Sequence, residues 1–133
     1  MKKIILAFLI TGFSATANAL SGSELLAECK KFLQILEGSQ SNMQDTFQAG
    51  VCGGYVLGVQ EGFIASSELA DVVSKDQGTA KVTKNYWDIP SAVEQEEVVK
   101  IIVKYLEINT NMHDKPAVLS VLNAIRQTFP SKP

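Results

Sequence analysis

Few residues in this 133-residue chain could do chemistry. His113 is the only histidine and stands beside Asp114, a pairing that acid–base catalysis uses. A nucleophile would also be needed, and the sequence has no G-x-S-x-G pattern to present a serine. Glu96 and Glu97 are neighbours, but on a helix they would point about 100° apart, as on a solvated face. The sequence therefore predicts a protein that is not an enzyme.

The two cysteines, Cys29 and Cys52, are most simply interpreted as a disulfide in an exported protein. The bridge would close a loop of about 24 residues and contribute about 3.5 kcal/mol in the chain-entropy estimate. One histidine and two distant cysteines do not form a zinc ligand set, so we expect no metal and no cofactor. A disulfide would also leave no free thiol to act as a nucleophile.

Glycines at a spacing of four residues mark the element on which the rest depends. Gly50, Gly54, Gly58 and Gly62 would share one face of a helix over residues 44–66. Each costs a helix about 0.5–1 kcal/mol relative to alanine, so we expect another helix to pack closely against this face. A flexible glycine-rich loop is the alternative. The apolar residues between the glycines and the absence of proline favour the helix, and the phosphate-loop spacing is missing.

Apolar residues at helical spacing predict the remaining helices. A first helix is expected over residues 23–37, and residues 68–74 could add one or two helical turns. A third helix would start at a capping box formed by Ser91 and Glu94, and a last one would be capped by Asp114. Residues 75–84 resemble an exposed loop, and strand signals are nearly absent. The predicted fold is an all-α bundle of four to five helices around the glycine-striped central helix, with one disulfide.

The N-terminal segment, residues 1–19, has the pattern of a cleaved signal peptide. Lys2 and Lys3 precede a short apolar run, and Ala17-Asn18-Ala19 supplies a small-x-small cleavage site. The run is too short to span a bilayer, and no later stretch approaches 18 apolar residues, so we expect no membrane insertion of the mature chain. Residues 20–133 would form one domain in the periplasm.

The net charge of the chain limits the classes of molecule that it could bind. The chain has 12 basic and 14 acidic residues, and removal of Lys2 and Lys3 leaves 10 against 14, a net charge of −4. A nucleic-acid surface needs a basic patch, which the sequence lacks. Mild acidity is compatible with a partner whose binding cleft is basic, although solubility alone would also explain it.

Several of these motifs together resemble the Rap/Tai immunity proteins. The motifs are Cys52-Gly53-Gly54-Tyr55 with Gly58 and Gly62, then Ile89-Pro90, the helix over 99–106, and Phe129-Pro130. Members of that family are small periplasmic proteins that neutralise peptidoglycan amidase toxins delivered by type VI secretion systems. The resemblance covers about Leu25 to Pro130.

The resemblance implies an all-helical homodimer that binds its cognate cysteine-type amidase and occludes the active-site cleft, without chemistry of its own. The target would be a papain-like enzyme that cuts peptide crosslinks in the cell wall. Many relatives carry a second cysteine pair, but here Trp87-Asp88 and Ser131 stand at those places. The C-terminal helix would then be held by packing alone.

Two segments are candidates for contact with the toxin. Lys84, Tyr86, Trp87 and Asp88 follow a polar loop, and large aromatic residues are enriched at interface hot spots. Trp87 could instead cover the hydrophobic core. The second candidate is the turn over 109–114, which carries His113 and Asp114.

An acid-activated periplasmic chaperone is the alternative function. Neutralisation of the 14 acidic residues at low pH could drive such a switch. Those chaperones have a disordered charged tail, whereas this chain ends in a predicted helix followed by a few residues.

Overall fold

A computed structural model describes residues 19–76 and 89–130 of the chain. Four α-helices and a short 3₁₀ helix over Thr110–Met112 make up this part, together with an isolated bridge between Ser21 and Pro116. The helices are α1 (Gly22–Leu36), α2 (Met43–Asp76), α3 (Gln95–Ile108) and α4 (Ala117–Thr128). The predicted all-α fold is confirmed.

The first helix lies within one residue of its predicted bounds at both ends. The Ser21 hydroxyl accepts a hydrogen bond from the Glu24 amide, and the Glu24 carboxylate accepts one from the Ser21 amide at 2.8 Å. This reciprocal capping box lowers the pKa of Glu24, because the backbone and hydroxyl of Ser21 both favour the charged carboxylate. At the other end Gly38 has φ +84°, a conformation that glycine adopts without strain, and reverses the chain.

The second helix is longer than predicted. It runs without interruption for 34 residues, from a start where Asn42 and Asp45 cap each other's amides. The turns expected over 68–74 are part of this helix rather than a separate one. At 1.5 Å per residue α2 is about 51 Å long and α1 about 22 Å. One end of α2 therefore extends beyond the helix on which it packs.

The core lies where the disulfide joins α1 to α2. Cys29 and Cys52 are bonded as predicted, with Cα atoms 5.0 Å apart, and neither side chain is exposed. Their neighbours in the core come from all four helices. The largest fully buried side chains are Leu25, Val56, Val99, Ile102, Leu106, Val121 and Ile125.

Two of the predicted helix caps are wrong. Ser91 lies in a turn, and α3 begins at Gln95 after Glu94, whose side chain makes no capping hydrogen bond. Asp114 does not cap α4, which begins at Ala117 after Pro116. Groups that are distant in sequence bind the first amides of α4 instead.

The start of the described chain supplies the cap of the last helix. The Ala117 amide donates to the Leu20 carbonyl at 2.7 Å, and the Val118 backbone hydrogen-bonds to the Tyr55 hydroxyl. The Gly22 amide in turn donates to the Lys115 carbonyl at 2.9 Å. Burial raises the pKa of the Tyr55 phenol. The segment before α1, α2 and the start of α4 are thus tied together.

The glycine face of α2 is open, contrary to expectation. Among the described residues, no atom outside the helix backbone lies within 4 Å of a Cβ added at Gly50, Gly54, Gly58 or Gly62. The prediction that another helix of the chain packs against these glycines is therefore wrong for the part of the chain described. The face of α2 that does pack inward carries Cys52 and Val56, which are fully buried.

Candidate functional site

His113 belongs to a structural junction. Its Nε2 lies 2.9 Å from the Leu106 carbonyl oxygen at the end of α3, and because a carbonyl only accepts, Nε2 carries the proton. The His113 carbonyl accepts from the Ser23 amide at 3.0 Å. The ring is half-buried, whereas the neighbouring Asp114 is exposed and pairs with Lys115 at 3.4 Å. Contact of His113 and Asp114 with a partner stays a prediction.

The same junction depends on a glycine that has no distinctive sequence signal. A Cβ added at Gly22 would overlap the Met112 carbonyl oxygen. This close approach joins the first turn of α1 to the 3₁₀ helix 90 positions later in the chain. Sequence reasoning missed Gly22 because it has no periodic relation to the other glycines.

The predicted toxin-contacting segment with Lys84, Tyr86, Trp87 and Asp88 lies outside the described residues. The description resumes at Ile89, which is half-buried against the core. The role of the four residues therefore stays a prediction, as does the alternative that Trp87 covers the core.

An apolar groove of about 380 Å³ runs between α1 and α2. Its floor is helix backbone at the glycines, and its walls are apolar side chains of both helices. The groove is lined by Phe32, Ile35, Leu36, Thr46, Ala49, Gly50, Gly53, Gly54, Leu57 and Gln95. We call it the α1–α2 groove.

One side chain from α3 closes an end of the α1–α2 groove. Gln95 Nε2 donates to the Gly53 carbonyl oxygen at 2.8 Å, across 42 positions of sequence. A helical carbonyl can accept this second bond because its oxygen has two lone pairs. An added Cβ at Gly53 would lie 3.2 Å from the Phe32 ring, so the ring would have to shift by a few tenths of an ångström to admit it. Neither Gln95 nor the role of Gly53 was apparent from the sequence.

Carboxylates dominate the surface near that end. Glu94, Glu96 and Glu97 surround Gln95 in sequence, and Glu37 follows α1. The only cation that ion-pairs with one of them in the described parts is Lys100, with Nζ 2.6 Å from Glu96 Oε1. The hydrogen bond and the charge of Glu96, followed by the charges of Glu37 and Glu97, raise the pKa of Lys100. We call these four glutamates the acidic rim.

Two other surfaces could receive a partner. The far part of α2 exposes apolar side chains, namely Ile64, Leu69, Val72 and Val73, each 46–64% exposed. A second groove of about 470 Å³ lies between α3 and α4, where Tyr105, Ile108 and Gln127 contribute to a mixed lining.

The described part of the chain shows no metal site. Over 19–76 and 89–130, no group of three or more His, Cys, Asp or Glu side chains is placed so that it could hold a metal ion. Both cysteines are in the disulfide. Among the helices with described positions, none is both long and apolar enough to cross a membrane.

These features define the class of protein. A small disulfide-bonded helical bundle with open apolar grooves offers surfaces to which another molecule could bind. The family profile of the Rap1a immunity proteins matches residues 21–131, and the chain belongs to this family. It is thus an immunity protein, which acts against a toxin. Comparisons with curated proteins and with solved structures give no significant match.

Proposed function

We propose that the mature chain, residues 20–133, works in the periplasm and inhibits a cysteine-type peptidoglycan amidase delivered by a type VI secretion system. It binds the folded toxin and covers the active-site cleft, so that cell-wall crosslinks cannot enter. It performs no reaction itself and uses no cofactor. The observation that carries this proposal is the family match over residues 21–131.

The proposed location is supported by two features of the chain. Residues 1–19 have the charge, apolar run and small-residue site of an export signal. The bond between Cys29 and Cys52 belongs to an oxidising compartment, where disulfides form and persist.

Rigidity is what the fold contributes to inhibition. An inhibitor that keeps its shape on binding loses little conformational entropy, so more of the contact energy becomes affinity. The disulfide, the capping box of α1 and the remote cap of α4 hold the bundle in one shape. A standard inhibitory interface of about 800 Å² per partner would fit on such a domain.

The proposal is tested with a cysteine-type peptidoglycan amidase of a type VI secretion system, sought first among the genes that neighbour this one. Purified residues 20–133 are mixed with the enzyme at pH 7, and release of crosslink peptides from peptidoglycan is measured. We expect inhibition at a one-to-one ratio of subunits, and binding to an amidase whose nucleophilic cysteine is replaced by alanine. An amidase that stays fully active and unbound would refute the proposal. Suppression of client aggregation at pH 2–3 instead would favour the chaperone alternative.

We also propose that the protein is a homodimer, as the family resemblance implies. The exposed apolar side chains on the far part of α2 are the surface best suited to self-association, because a second copy would remove them from water. Leu69→Asp with Val72→Asp should convert a dimer to a monomer in light scattering. A wild-type mass of one subunit would contradict the proposal.

A further inference from the structure

We propose that the α1–α2 groove is the surface that receives the toxin, and that its occupant is an apolar side chain projecting from a basic surface of that enzyme. This inference rests on the proposed function, which it makes specific. It adds a contact region to the segment predicted from Lys84 and Asp88.

The first argument is the shape and exposure of the groove. Leu36 and Leu57 on its walls are 51% and 45% exposed, and Phe47, one turn before Gly50, is 66% exposed. Space is open above Gly50 and Gly54. A projecting side chain could therefore reach the helix backbone and be covered on both sides by apolar walls.

The second argument is that the groove is held in shape before anything binds. Cys52 precedes the floor residue Gly53, and Cys29 lies one turn before the wall residue Phe32, so the disulfide fixes the distance between the two helices. Gln95 adds a bond from α3 to the floor. A preformed apolar groove with few polar groups is the usual form of a binding site.

The third argument is charge. The acidic rim carries four carboxylates and pairs with one cation, Lys100, so this side of the groove is negative. Lys31 and Asp45, which precede the lining residues Phe32 and Thr46, are paired at 3.0 Å, and this hydrogen bond lowers the pKa of Asp45. The positive charge of Lys31 is thereby balanced. A basic partner would be attracted and oriented by this rim.

The same charges disfavour a second copy of the chain as the occupant. A two-fold interface places one patch against itself, so two acidic rims would face each other. Like charges brought together oppose association. An acidic rim is equally unsuited to nucleic acid.

The test fills the groove without disturbing the bundle. Gly54→Leu puts a side chain into open space in the groove, and Gly62→Leu puts the same side chain on the same helix, two turns beyond it. Binding to an inactive form of the amidase that the wild type inhibits is measured by calorimetry, and thermal unfolding checks that each variant is folded. We expect Gly54→Leu to weaken binding at least tenfold and Gly62→Leu to bind as the wild type does.

A charge variant tests the rim independently. Glu94→Lys with Glu97→Lys should slow association at low salt by tenfold or more, and the difference should shrink at high salt.

Wild-type affinity in Gly54→Leu would overturn the groove proposal while leaving the function intact. The groove proposal would also be overturned if the groove variants bound normally and binding were lost only in a variant with Lys84 and Asp88 reversed in charge and Tyr86→Ala. Failure of the wild type to bind would instead refute the proposed function.

Discussion

Some glycines in this protein are needed where two segments approach closely, and others face open space. Single substitutions should distinguish the two kinds by their effect on stability. Gly22 lies where a Cβ would overlap the Met112 carbonyl, whereas Gly58 faces open space on α2. Gly22→Ala should lower the free energy of unfolding by about 1–3 kcal/mol, because backbone must move to admit the methyl group. Gly58→Ala should raise it by about 0.5–1 kcal/mol through helix propensity. Urea denaturation measures both, and equal effects of the two would contradict this distinction.

Acid should destabilise the fold through two exposed carboxylates. The pKa of Glu24 is lowered mainly by hydrogen bonds from Ser21, and that of Asp45 by those from Lys31 and Asn42. A folded-state pKa below the unfolded one adds stability above the unfolded value, about 4, and this stability is lost as pH falls through the folded pKa. Glu24→Gln with Asp45→Asn should therefore flatten the decline in stability below about pH 4.

The measurement is urea unfolding at several pH values between neutral and strongly acidic. As a control, Glu68→Gln changes an exposed glutamate on the far part of α2 and should leave the slope unchanged. An unchanged slope in the double variant would show that the two caps carry none of the acid sensitivity.

At the scale of elements, the pair α1–α2 should depend strongly on its disulfide. Replacing Cys29 and Cys52 together by alanine should cost about 3–4 kcal/mol, since the unfolded chain loses its constraint. Urea unfolding of the double variant, compared with the oxidised wild type, measures this cost. A loss under 1 kcal/mol would mean that packing alone holds the two helices together.

The remote cap of α4 offers a second test. Tyr55→Phe removes the hydroxyl that bonds the Val118 backbone and should cost about 1–2 kcal/mol. Tyr105→Phe is the matched control, because no hydrogen bond of the Tyr105 hydroxyl occurs in the described ranges. Thermal unfolding should show a lower midpoint for the first variant only.

Local sequence was enough to predict the helices but not how they are joined. The apolar period predicts α1 to within one residue at each end, because its caps and its buried side chains lie within one segment. The start of α4 was predicted wrongly, because its first amides are bound by Leu20 and Tyr55, about 97 and 63 positions away. Asp114 has a side chain that commonly caps helices, but α4 begins at Ala117 after Pro116 and receives no side-chain cap from it.

The surfaces were harder to predict than the core, for a related reason. The glycine spacing correctly indicated one face of a helix, but whether that face is covered depends on where the other helices lie. The α1–α2 groove needs Phe32, Gly53 and Gln95 from three helices, and nothing in any one segment indicates that they meet.

For the molecule as a whole, the different surfaces make separable predictions. Gly54→Leu should impair toxin binding and leave the mass of the assembly unchanged, whereas Leu69→Asp with Val72→Asp should halve the mass. Light scattering and calorimetry on the same samples would distinguish them. If the variant with Leu69→Asp and Val72→Asp lost toxin binding as well as dimerisation, the two activities would share a surface.

The hydrogen bond between the Ala117 amide and the Leu20 carbonyl also sets an order of assembly. If the chain is exported from its amino end, as proposed, Leu20 would emerge 97 positions ahead of Ala117. The hydrogen bond between them could then form only after Ala117 had emerged, so α4 would be the last of the described helices to receive its cap.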